Sequence, residues 1–160
     1  PGLTANFDAA KSAALAITML DWRDFGRDYA HTMVTTASAL AQALDNAGLP
    51  VFACAEGFTS SHQFAIKAAP YGGGQAASKR LREHGFLACG IGLPLPAVAN
   101  DMNGLRIGTP ELVRWGFKPE HCEQLASLIA AALQAKAPAK LAAEVAAWRE
   151  TFNQLHFMHT

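Results

Sequence analysis

Gly104-Leu105-Arg106-Ile107-Gly108-Thr109-Pro110 is the stretch from which the rest of the chain can be read. Leu105 and Ile107 bracket an arginine in a short apolar run with a glycine on each side, the pattern of a buried strand. Thr109-Pro110-Glu111 then reads as a helix start, with Thr109 as N-cap and Pro110 at the first helical position. Arg106 therefore sits on or beside a buried strand, just before a helix N-terminus. A guanidinium is permanently charged and rarely buried without an anion, and its planar fork fits a carboxylate bidentately. Local sequence leaves three roles open for Arg106: a grip on a substrate carboxylate, a structural salt bridge, or an edge-strand position in water.

Outward from this stretch, Leu93 to Met102 is broken by prolines and predicts a long loop that leads into the Arg106 strand and forms a wall of any pocket there. Phe86 to Ile91 predicts a short apolar strand. His62 to Lys67 alternates, so Phe64 and Ile66 face one way. With the apolar run Leu49 to Ala55 it predicts a hairpin or strand pair. His62 opens that strand as a structural or site-supporting residue. Tyr71-Gly72-Gly73-Gly74 reads as a mobile connection into a helix over Gln75 to His84, and only weakly as a phosphate cradle.

The flanks are helical. Leu3 to Leu20, capped by Asn6, carries an alanine-rich face that requires a close neighbour, and Asp21 to Asn46 predicts a second, longer helix. His31, Thr32, Thr35 and Thr36 read as its polar face. Beyond Lys118-Pro119-Glu120 another helix follows, Pro138 interrupts, and Ala139 to Leu155 predicts the last helix, with His156 and His159 on a frayed tail. The order is helix, helix, strand, strand, helix, strand, strand, helix, helix, helix. This is an α/β fold with a small mixed or antiparallel sheet and helices packed on one face. The expected division is a helical segment over 1–48, a small α/β domain over 49–134, and a C-terminal helix and tail over 135–160.

Composition narrows the class. The 160 residues are 51% hydrophobic and 16% charged, with thirteen basic and thirteen acidic residues. That suits one well-buried core and offers no electrostatic steering toward nucleic acid or a membrane surface. Cys54, Cys89 and Cys122 are odd in number and widely spaced, which argues against a disulfide framework or a zinc site and fits a reducing cytoplasm. The opening Pro1-Gly2 suggests a piece of something longer, or a processed or trimmed product.

From about Pro1 to about Gln134 the chain resembles the C-terminal part of serine hydroxymethyltransferase, a fold-type I enzyme that uses pyridoxal phosphate. The most specific match is Asn103 to Leu112, followed by Arg114 and Gly116-Phe117. Glu56 to Gln63 resembles a second family motif, in which His62 matches a histidine. Pro1-Gly2 resembles the end of the family's Phe-Pro-Gly loop. The resemblance implies the small C-terminal domain of fold-type I enzymes and assigns Arg106 the substrate carboxylate. It implies a substrate-binding part of an enzyme performing aldol-type Cα–Cβ cleavage or formation on β-hydroxy amino acids such as serine or threonine, with glycine.

Three departures qualify the match. Leu3 to Asp8 stand where the family has Gly-Gly-Pro and a histidine after its Phe-Pro-Gly loop. Cys89-Gly90-Ile91 stands where the family has Asn-Lys-Asn in its folate pocket, which puts tetrahydrofolate in doubt and makes the chain similar to folate-independent threonine transaldolases. None of the six lysines, Lys11, Lys67, Lys79, Lys118, Lys136 and Lys140, has the family's Schiff-base context. No catalytic residue is therefore expected in this chain. An N-terminal cofactor domain or second chain, in a homodimer or higher homo-oligomer, is expected to bind most of the pyridoxal phosphate. The alternative is a non-catalytic binding or assembly module derived from the same fold.

Overall fold

The computed structural model describes residues 8–134 and 140–159. The expectations that fall on Pro1-Gly2, Leu3, Asn6, Lys136 and Pro138 lie outside these residues. The elements are α1 (Ala9–Asn46), β1 (Gln63–Lys67), α2 (Gly74–Glu83), β2 (Cys89–Ile91), β3 (Gly104–Gly108), α3 (Pro110–Arg114), α4 (Cys122–Leu133) and α5 (Leu141–Arg149), with short 3-10 turns between them.

Three strands form one antiparallel sheet in the order β1-β3-β2, so the arginine strand is central. The expected fold class holds, and the sheet is antiparallel rather than mixed. Alternation works as expected: Phe64, Ile66, Leu105 and Ile107 are buried on the face that carries the helices. There α1 packs on β1 and on α4, while α2 packs on β2 and β3. The second half of α1 supplies Ala37, Leu40, Ala41 and Leu44 to this core.

Several boundaries differ from expectation. The two N-terminal helices are one helix of 38 residues, capped by Asp8, whose carboxylate accepts the Ala10 and Lys11 amides. No proline interrupts it near Asp21, and Gly26 leaves room for the Trp22 ring, which a Cβ there would push aside. Thr36 belongs to the core, not to a polar face, because it is fully buried. Leu49 to Ala55 makes only the bridge Val51↔Ile66 before Ala53 turns left-handed (φ 58°) and a 3-10 turn begins. Within Phe86 to Ile91 only Cys89–Ile91 pairs with β3. The last helix stops at Arg149, and Phe152 reaches the core from outside it, against Phe117 and Trp148.

Candidate active site: an open arginine on the central strand

Arg106 lies on the face of β3 away from the core. Its cross-strand partners are Ala65 on β1 and Cys89 on β2, both small. Arg106 is exposed, and among the described residues no carboxylate lies within 4.0 Å of it. A cation in the middle of a sheet, flanked by small side chains and lacking an internal counter-ion, is available to an external anion. It opens into a depression of about 400 Å³ that is also lined by His62, Gln63, Leu87, Ala88, Gly108 and Pro110.

His62 is exposed at the edge of this depression, and its backbone is occupied: its carbonyl accepts the Thr109 amide at 3.0 Å. Pro110 stands at the first helical position as expected. Thr109 occupies the N-cap position but makes no side-chain cap hydrogen bond; its hydroxyl is used elsewhere, 2.7 Å from the Met33 carbonyl oxygen. Gln63 and Leu87 were not singled out by residue type; Gln63 could have been found from its place at the start of the alternating strand.

The loop from Leu93 to Met102 does not line the depression, contrary to expectation. It abuts the other end of β3, held there by the buried Asn103. The Asn103 amide nitrogen donates to the carbonyls of Leu93 (2.9 Å) and Leu95 (2.8 Å), and its oxygen accepts the Leu93 amide at 2.7 Å. The triple glycine is likewise a packed crossing rather than a mobile connection. A Cβ on Gly74 would collide with the Gly104 carbonyl and the Gly90 backbone, so α2 can lie against β2 and β3 only with glycine there. The free amides at its N-terminus already have an anion. The Asp101 carboxylate accepts from Gln75 (2.8 Å), Ala76 (3.0 Å) and Met102 (2.6 Å). These bonds, that of Gln75 foremost, hold the Asp101 carboxyl below its ordinary value. A phosphate therefore has no vacant cradle at this helix.

The C-terminal tail is docked, not frayed. His159 donates its amide to Asp21 at 2.8 Å and sets its Nε2 2.9 Å from Asp24. Hydrogen bonding from Arg23, with a further contribution from His159, takes the Asp24 carboxyl down to about 2. Phe157 stacks on Tyr29, and the Arg114 guanidinium lies over the same ring, 4.7 Å from its centroid.

No protein-family model matches the chain. It is 58% identical over 159 residues to an alpha-methylserine aldolase of Ralstonia sp and 58% over 158 residues to one of Variovorax paradoxus, covering 99% of this chain and 36% of each relative. It is 31% identical over 157 residues to a serine hydroxymethyltransferase of Pyrobaculum arsenaticum, across 98% of this chain and 37% of that one. A solved L-threonine transaldolase from Pseudomonas fluorescens superimposes with a TM-score of 0.76 at 28% identity, covering 89% of this chain and 32% of the other. The chain is thus similar, along nearly its whole length, to the C-terminal portion of serine hydroxymethyltransferase-like enzymes of fold type I. It spans about a third of the length of the curated relatives it matches.

Proposed function

We propose that this chain is the part of a pyridoxal-phosphate-dependent aldolase that binds the substrate carboxylate, and that Arg106 is the residue that does so. The observation that carries the reading is the guanidinium on the central strand, open to a depression, flanked by small side chains and without a carboxylate within 4.0 Å among the described residues. The similarity to alpha-methylserine aldolases supports α-methylserine, or a related β-hydroxy amino acid, as the substrate.

Cleavage of α-methylserine breaks its Cα–Cβ bond. The β-hydroxyl loses its proton and the β-carbon leaves as formaldehyde. The electron pair stays on Cα, which takes up a proton to give alanine. Pyridoxal phosphate, when bound, supplies the electron sink that makes such a carbanion accessible. The residues described here fit the amino acid rather than the covalent attachment of the cofactor: none of Lys11, Lys67, Lys79, Lys118 or Lys140 lines the Arg106 depression. Arg106 contributes position. A bidentate carboxylate contact fixes one end of the substrate, and orientation of this kind can supply up to about 7–11 kcal/mol of a barrier. His62 supports the site at its edge.

The cofactor lysine then comes from an N-terminal cofactor domain or a second chain. The first turns of α1, with exposed Leu15, Ile17, Met19, Leu20 and Trp22, support such a partner, and we propose a homodimer. Among the described residues no helix is long and apolar enough to cross a membrane. Three free thiols support a cytoplasmic location; burial pushes that of Cys122 up to about 11, which leaves it unreactive.

Cys89-Gly90-Ile91 offers no side-chain amide to a pterin, so the reaction is expected to proceed without tetrahydrofolate. The test is formaldehyde release from α-methylserine by the full-length, cofactor-loaded protein. Release in the absence of tetrahydrofolate is expected. No release from α-methylserine, or release that requires tetrahydrofolate, contradicts the proposal.

A further inference from the structure

Helix α1 meets the end of the arginine strand at two adjacent points. Tyr29 and Met33 are one turn apart on α1, and both are buried. The Tyr29 hydroxyl donates to the Pro110 carbonyl at 2.9 Å. The Thr109 hydroxyl, on a fully buried residue, lies 2.7 Å from the Met33 carbonyl oxygen and 3.1 Å from that of His62. Two consecutive residues at the corner between β3 and α3 are thus gripped by one face of α1, and the same corner is tied to His62, the residue just before β1.

The placement is specific. Threonine at an N-cap ordinarily spends its oxygen on the amides of its own helix. Thr109 makes no such bond. A carbonyl in the middle of a helix keeps a second lone pair after serving its own ladder, and Thr109 uses that of Met33. The corner begins three residues beyond Arg106, and both Pro110, which belongs to it, and His62, which is tied to it, line the depression. Arg114 and Phe157 close over the Tyr29 ring, which keeps its hydroxyl directed at Pro110.

We infer that Thr109 and Tyr29 are positioning residues for the carboxylate site: through them α1 sets where Arg106 and the walls of its depression stand. This rests on the proposed role of Arg106. Displacement of a binding group by about 1 Å can cost as much as a hundredfold in rate, so hydrogen bonds that fix its backbone matter to binding.

The test is a double-mutant cycle in the full-length, cofactor-loaded protein. Its readouts are the affinity for glycine, which carries a carboxylate but no β-hydroxyl, and the melting temperature. Thr109→Val is expected to weaken glycine about tenfold, the upper end for one net hydrogen bond, and Thr109→Ser to restore most of the loss. In an Arg106→Ala background Thr109→Val is expected to cause no further loss, because nothing remains to be positioned. Tyr29→Phe removes only the hydroxyl, is expected to weaken glycine about threefold with the same non-additivity, and decides the matter if Thr109→Val does not fold. A lower melting temperature with glycine affinity unchanged overturns the inference and leaves the Arg106 assignment standing. So does an equal loss of affinity in both backgrounds. If Arg106→Ala itself leaves glycine binding intact, the carboxylate reading fails and this inference with it.

Discussion

The two faces of the three-stranded sheet are built from alternate residues of the same strands and carry opposite contents. On one face Phe64, Ile66, Leu105 and Ile107 are sealed beneath the helices; on the other, Ala65, Arg106 and Cys89 form a row of one charge between two small side chains. Because side chains alternate with a period of two, Leu105-Arg106-Ile107 divides its labour residue by residue: the aliphatic pair holds the strand in the core and the arginine between them faces out. The core face makes the fold and the open face offers a binding group.

The comparison breaks first on the core face. Leu105→Ala leaves a cavity at a fully buried position of the central strand, and such truncations cost about 2–5 kcal/mol. Denaturant unfolding of the full-length protein should register that loss; a cost below about 0.5 kcal/mol would mean that β3 is not the centre of the core.

The edge of the sheet responds to acid. The Asp101 carboxyl titrates below its ordinary value of 3.8 because its charge is held by the amides at the start of α2. Its contribution is therefore present at neutral pH and above 3.8, and is lost as pH falls through the lower folded value. Asp101→Asn should be less stable than the parent at neutral pH, and melting curves recorded down the pH scale should show the gap closing below about pH 4. A gap that stays constant to low pH would rule out the charged cap.

Much of this arrangement was readable in the chain, and the parts that were not share a cause. The arginine strand, the alternation of β1 and the proline at the head of α3 follow from neighbours within a few residues, where period and turn chemistry act. The roles of Thr109, Asn103 and Asp101 do not. Thr109 has the local look of an N-cap, and its partner Met33 is 76 positions away. Asp101 caps a helix that begins 27 residues before it, a pairing no window of sequence reveals. The tail misled for the same reason: His159 is held by Asp21 and Asp24, at the opposite end of the chain, and the His156 amide by the Arg114 carbonyl. The expected break at Asp21 does not exist: Asp21 lies inside α1 and its carboxylate receives the His159 amide.

The smallest effect on stability is expected at Arg106, where the effect on binding is large, and that pairing is the central claim. Arg106 is exposed and has no carboxylate within 4.0 Å among the described residues, so Arg106→Ala should change folding stability by no more than about 0.5 kcal/mol. Loss of a charged hydrogen bond to a carboxylate costs about 1.5–3 kcal/mol, which is at least about tenfold in affinity. Lysine lacks the bidentate fork, so Arg106→Lys should not restore full affinity. The deciding measurement is spectral titration of full-length, cofactor-loaded Arg106→Ala with serine, threonine and glycine, alongside its melting temperature. An unchanged melting temperature with amino-acid affinity at least about tenfold weaker is the expected result; a lowered melting temperature with affinity intact would contradict it.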